Sequence, residues 1–278
     1  MTLGILTIAG LTLHEAARRR ILTAAFVCGA AFLALYATGA HFMARDFARH
    51  ETSLIERHMF MTFLTLAGLY AVNFLTVMTA VLLPVDTLSG EIASGVMQTL
   101  VSKPIRRAEI VLGKWLAHVV LIAAYLTLMA GGVLTIAQVI GSGIPPHVTI
   151  GIPLMLLEGT VLVTLSIAGG TRLSTVTNGV FVFGLYGLAF IGSWVEQIGT
   201  LAGNDTARYV GTIASLIMPT EAMWQLAAHH MQPAIMRDLA ATPFSPASVP
   251  SPAMVVWAAA YAAVALLVAV LSFRKRGL

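Results

Sequence analysis

The sequence predicts an all-α polytopic membrane protein with six transmembrane helices, and three observations carry that prediction. Of 278 residues, 58% are hydrophobic and only 10% charged, with a mean hydropathy of +0.87; soluble domains carry about 25% charged residues. Six stretches approach spanning length: Ile21–Ala40, Met59–Leu83, Trp115–Ile140, Ile152–Gly169, Val176–Val195 and Ala253–Phe273, a span needing roughly 20 mainly apolar residues. The basic residues are also unevenly shared between the connections. One side holds Arg18, Arg19, Arg20, Lys103, Arg106, Arg107, Lys114, Arg172, Arg274, Lys275 and Arg276, which is 11 of 16. The other holds Arg45, Arg49, Arg57, Arg208 and Arg237. A Lys/Arg excess marks the cytoplasmic side, so both termini are expected there.

The chain is expected to form a single domain over residues 1–278. Residues 1–20 precede the first span, and Leu3, Leu6, Gly10, Leu13 and Ala17 repeat at helical spacing. That stripe predicts an interfacial helix on the membrane surface, with an extended first span as the alternative. The run after Arg18-Arg19-Arg20 is longer than the apolar core of a signal peptide, so it reads as a retained span. Cys28 within it reads as a small apolar-facing residue. The connection His41–His58 mixes three arginines with three acids and reads as a solvated helical extension. Residues 141–151, uncharged and carrying Pro145-Pro146, read as a tight turn.

The longest connection, 196–252, holds two short amphipathic patterns on either side of Pro219, followed by the proline-rich TPFSPASVPSP. Extracellular helices are expected here before the sixth span, with Trp194 and Trp224 at the membrane–water interface.

Residues 84–114 interrupt two apolar runs with seven charges: Asp86, Glu91, Lys103, Arg106, Arg107, Glu109 and Lys114. Leu88, Ile92, Val96 and Leu100 form an i, i+4 stripe, while Thr87, Glu91, Ser94 and Gln98 line another face. The pattern predicts one amphipathic helix of about 13 residues, ended at Pro104 and followed by a basic shoulder. It is either a surface helix without a partner or a docking helix received by a cytoplasmic protein.

Catalytic and metal signatures fail. His14-Glu15-Ala16-Ala17-Arg18 begins like a zinc-protease HExxH motif but has arginine at the second ligand, and the adjacent His229 and His230 face different sides of a helix. There is no G-x-x-x-x-G-K-[ST] phosphate loop. The net charge of +4 is too small to suggest a nucleic-acid partner. Glu158 is the one acid within an apolar span, placed roughly 9 Å from the outer end of the fourth helix. Intramembrane acids are functional candidates by default; a hydrogen-bonded helix contact is the alternative. Asn73 and His118 read first as interhelical hydrogen-bonders and second as pathway residues.

The segment resembles the ABC-2 type permeases, membrane subunits of ABC transporters that work with a separate ATPase. The shared pattern, D-x-x-S-G-E-x-x-S-G-x-x-x-x-L-x-S-x-P-x-x-R, is carried by Asp86, Ser89, Gly90, Glu91, Ser94, Gly95, Leu100, Ser102, Pro104 and Arg107. The span count and basic N-terminal stretch are also similar, and the nearest group is the permeases labelled multi-copper-enzyme maturation components. The resemblance implies a non-catalytic exporter subunit in a bacterial cytoplasmic membrane. It implies two ATPase subunits that bind ATP and Mg, a second permease copy or paralogue, and surrounding lipid. It makes the segment the coupling helix, and this chain needs no cofactor of its own. A self-sufficient secondary transporter or channel is the alternative, and predicts several intramembrane charges or interrupted helices.

Overall fold

A computed structural model describes residues 2–49, 53–101, 105–141, 143–233 and 248–276. Eleven helices and no strands occur among the described residues: α1 (Thr2–Ala17), α2 (Arg20–Arg49), α3 (Leu54–Leu82), α4 (Ser89–Ala93), α5 (Val96–Val101), α6 (Arg107–Ile140), α7 (Val148–Gly170), α8 (Thr175–Leu201), α9 (Asp205–Ile217), α10 (Thr220–Met231) and α11 (Pro252–Arg274). Six of them, α2, α3, α6, α7, α8 and α11, are long and apolar enough to cross a membrane. The chain is a multi-pass membrane protein.

Helices outrun the hydropathy boundaries wherever polar residues extend a span. α2 continues through the charged stretch to Arg49, and α6 begins at Arg107, inside the basic shoulder. Ser53 caps α3 by accepting from the Glu56 backbone N–H, and the Glu56 carboxylate accepts from the Ser53 N–H in return, a reciprocal capping box. α7 starts at Val148 and runs through Pro153. As the sixth residue, Pro153 lacks the N–H that would pair with Thr149 C=O, so one intrahelical bond is forgone close to the helix start.

α7 is the hub. It is apolar on all sides, which a helix sustains only when surrounded, and it packs against α3, α6, α8, α10 and α11. Val161, Leu162, Val163 and Ile167 are fully buried. α2 and α11 sit at the rim, with most of their surface left for lipid.

α1 is a separate helix, broken from α2 at Arg18–Arg19, and it lies along α6. The face it buries is Ile8, Ala9, Thr12 and Ala16, while Leu6 and Leu11 are exposed. Of the helical stripe read from the sequence, Leu6, Gly10 and Ala17 are exposed and Leu13 is half-buried. Both faces of α1 are apolar, so spacing alone did not distinguish them.

The connections α3–α6 and α7–α8 lie at one end with the start of α2 and the end of α11, here called the basic end. α9 and α10 lie at the opposite end and are not surface ornaments. α9 folds back along α8, and α10 packs into α7 and α8. Trp224 is buried, its ring 5.3 Å from that of Tyr70 on α3, so it is a core residue and not an interfacial one; Trp194 is half-exposed. Most of the proline-rich stretch after α10 lies outside the described residues.

Candidate functional site

The predicted 13-residue helix is two short helices. α3 stops at Leu82, ahead of Pro84, which disfavours helix at the residue before it, and the chain turns at Thr87 N–H to Pro84 C=O, 3.0 Å. α4 and α5 are separated at Gly95, whose φ of +78° is left-handed, a conformation costly for residues with a Cβ. Leu88 is buried, and Ile92 and Leu100 pack on the core, but Val96 is 48% exposed.

The polar groups of the pattern point mainly inward. Asp86 takes a hydrogen bond from Thr175 Oγ1 at 3.0 Å and pairs with Arg19 at 3.4 Å. Ser89 donates to Val85 C=O at 3.0 Å and lies 2.9 Å from Thr175 Oγ1. A Cβ on Gly90 would sit 2.1 Å from Asp86 Oδ1, so glycine makes room for that carboxylate. Glu91 is buried and forms an ion pair with buried Lys114 of α6. Ser94 closes α4, its hydroxyl donating to Glu91 C=O at 3.3 Å. The exposed surface is therefore at the break: Ala93, Ser94, Val96, Gln98 and Thr99. Pro104 and Ser102 lie outside the described residues.

Residues distant in sequence tie this segment to the body. Arg19 also pairs with Glu15 at 2.6 Å. Burial works against the Glu15 charge, but the Arg19 hydrogen bond and charge, with Lys114 and His118 beyond, hold its carboxyl below its ordinary value. Asn178, fully buried near the start of α8, donates to Val85 C=O at 3.2 Å and Ser166 C=O at 2.8 Å. Arg107 donates to the carbonyls of Arg274 and Arg276, and Arg276 donates to Thr171 C=O. Arg19, Lys114 and Asn178 carried no individual signal beyond charge or polarity, because their partners are set by the tertiary fold.

The three pathway candidates separate. His118 belongs to the basic end, 3.1 Å from Thr87 Oγ1 and bonded through Nδ1 to Lys114 C=O at 2.7 Å. Glu158 and Asn73 lie together elsewhere. Because α7 starts earlier than hydropathy indicates, Glu158 lies about 15 Å from its outer end, near mid-span and not close to a boundary. Glu158 is fully buried, and neither of its oxygens nor Asn73 Oδ1 has a hydrogen-bond partner among the described residues. A second acid, Glu221 on α10, acts on it electrostatically. Glu221 is itself buried, which pushes its carboxyl up to about 8. Its position in a connection between spans hid this role from sequence reading.

Comparison with known families fits this architecture. The model for the ABC-2 family transporter proteins matches residues 6–278, nearly the whole chain. Among curated proteins, none matches the chain.

Proposed function

The chain belongs to the ABC-2 transporter family, and from that premise we propose that it is the membrane subunit of an ABC exporter, driven by a separate ATPase seated against α4–α5. Two copies of the permease, or one and a paralogue, pair over two ATPase subunits, which bind the ATP and Mg. The basic end is then cytoplasmic, in keeping with its Lys/Arg excess, in the bacterial inner membrane.

The observation that carries the reading is the division of labour within residues 86–99. Asp86, Ser89 and Glu91 fasten the segment to the α1–α2 junction, α8 and α6, while Ala93, Ser94, Val96, Gln98 and Thr99 are exposed on its surface. A docked partner would press on the exposed break, and the inward bonds would carry the displacement to the spans. Gly95 lets the two short helices meet at the required angle.

The test is recovery of the ATPase with tagged permease. Val96→Arg with Gln98→Arg is expected to reduce recovery at least about tenfold, the cost of disrupting one interface hot spot, while membrane insertion persists. Glu91→Gln is expected to retain the ATPase yet uncouple hydrolysis from transport. Unchanged recovery and transport in the arginine variant would remove the docking assignment.

A further inference from the structure

α3, α7, α8 and α10 meet around a dry polar cluster that the coupling mechanism does not use. Glu158 projects from the middle of α7, with Asn73 and Tyr70 on α3, Tyr186 on α8 and Glu221 on α10 acting in one electrostatic group. No titratable group of α6 or α11 acts on Glu158, and no basic side chain offsets either acid among the described residues. The cluster leaves buried polar atoms unbonded. Both Glu158 oxygens and Asn73 Oδ1 are buried without a donor, and Thr220 Oγ1, beside Glu221, is likewise buried and unbonded.

An unmet acceptor in a low-dielectric interior costs about 1–3 kcal/mol, and an uncompensated charge costs more. The ionised form of fully buried Glu158 needs a donor and positive charge beside it, and no basic side chain among the described residues supplies that charge. A proton meets both conditions and needs no space. Bound to Glu158, it turns a carboxylate oxygen into a donor for a neighbouring acceptor. Glu221 continues the cluster outward: its chain neighbour Ala222 lines a cleft of about 380 Å³ at the opposite end, together with Glu196, Asp205 and Gln225.

We propose that Glu158, with Asn73 and Glu221, is a proton-binding site at mid-membrane that takes up and releases one proton through Glu221 and the outer cleft during the transport cycle. In the step, Glu221 first releases its own proton to water in the cleft; the O–H bond of the Glu158 carboxyl then breaks, the proton passes by way of water to the Glu221 carboxylate, and the return reverses both transfers. Redox chemistry is not involved. The inference rests on the exporter reading for the cycle that drives it, but the site itself is testable without the ATPase.

The first arm uses the permease alone in lipid nanodiscs and follows the infrared carbonyl band of protonated carboxyl groups while pH is varied. A buried protonated carboxyl is expected, lost in Glu158→Gln and titrating at a different pH in Glu221→Gln. A spectrum that Glu158→Gln leaves unchanged overturns the site and leaves the exporter reading untouched. The second arm compares the resting and vanadate-trapped permease–ATPase complex. Trapping is expected to alter the Glu158 band, and Glu158→Gln to lower transport at least about tenfold with normal ATPase recovery. An unaltered band, or Glu158→Gln transport equal to wild type, makes the acid structural and overturns exchange. Absence of any ATPase complex would instead count against the exporter reading, with the first arm still deciding the site.

Discussion

Glu91 and Lys114 form an ion pair that water scarcely reaches. Burying two charges is costly, and the mutual attraction repays the cost only while both are present. Lys114→Met is therefore expected to destabilise the permease by about 3–5 kcal/mol, read as a fall in unfolding temperature in detergent. The Glu91→Gln, Lys114→Met double variant should lose much less than the sum, because it leaves no orphaned charge. Glu221 makes a pH-dependent contribution of the opposite kind. Its carboxyl titrates near 8 in the folded chain against an ordinary value of 4.5, so the folded state holds a proton that the unfolded chain releases between those limits. Stability must then fall as pH rises through that window, by at most about 1.4 kcal/mol per pH unit, and level off above it. Unfolding temperatures across the window should show the slope in wild type and its loss in Glu221→Gln.

At the scale of elements, hydropathy located all six spans because burial in lipid requires long apolar runs. It misplaced their ends because a helix continues past lipid when capped or charge-compatible residues allow, as at Arg49 and Arg107. The site was less legible. The pattern from Asp86 to Arg107 marked the right segment, yet Asp86 and Glu91 read as surface charges until Arg19 and Lys114 were brought beside them. Glu158 stood out as an acid in an apolar run, whereas Glu221 did not, because α10 reads as a connection and becomes buried only by packing into α7 and α8. The bend between α4 and α5 gives its own prediction. Gly95→Ala places a Cβ on a left-handed residue, at a cost of roughly 1–2 kcal/mol. Since no atom lies within 4 Å of that Cβ, the strain is conformational and not steric. The segment should re-angle, and ATPase recovery should fall while the unfolding temperature changes little. Unaltered recovery would show that the bend angle is immaterial.

For the whole molecule, the question is how displacement at the basic end reaches Glu158 near mid-span. α4 is tied to α6 through Glu91–Lys114, and α6 is tied to the hub helix through Trp115, whose Nε1–H donates to Thr164 Oγ1 at 2.8 Å. A second link runs through Asn178, which holds the turn after α3, at Val85, and the Ser166 carbonyl of α7 to α8. Both links converge on α7 between Thr164 and Ser166, about two turns from Glu158. Close-packed helices shift as units and do not deform smoothly, so loosening either link should weaken transmission without abolishing docking. Trp115→Phe removes the hydrogen bond and keeps most of the ring. It is expected to leave ATPase recovery intact while lowering the ratio of transport to ATP hydrolysis several-fold in proteoliposomes. Asn178→Ala removes two buried hydrogen bonds at about 0.5–1.5 kcal/mol each, although Val85 C=O keeps its bond from Ser89, and should lower both that ratio and the unfolding temperature. If Trp115→Phe retains the wild-type ratio, displacement does not pass through the α6–α7 bond, and the Asn178 link through α8 becomes the route.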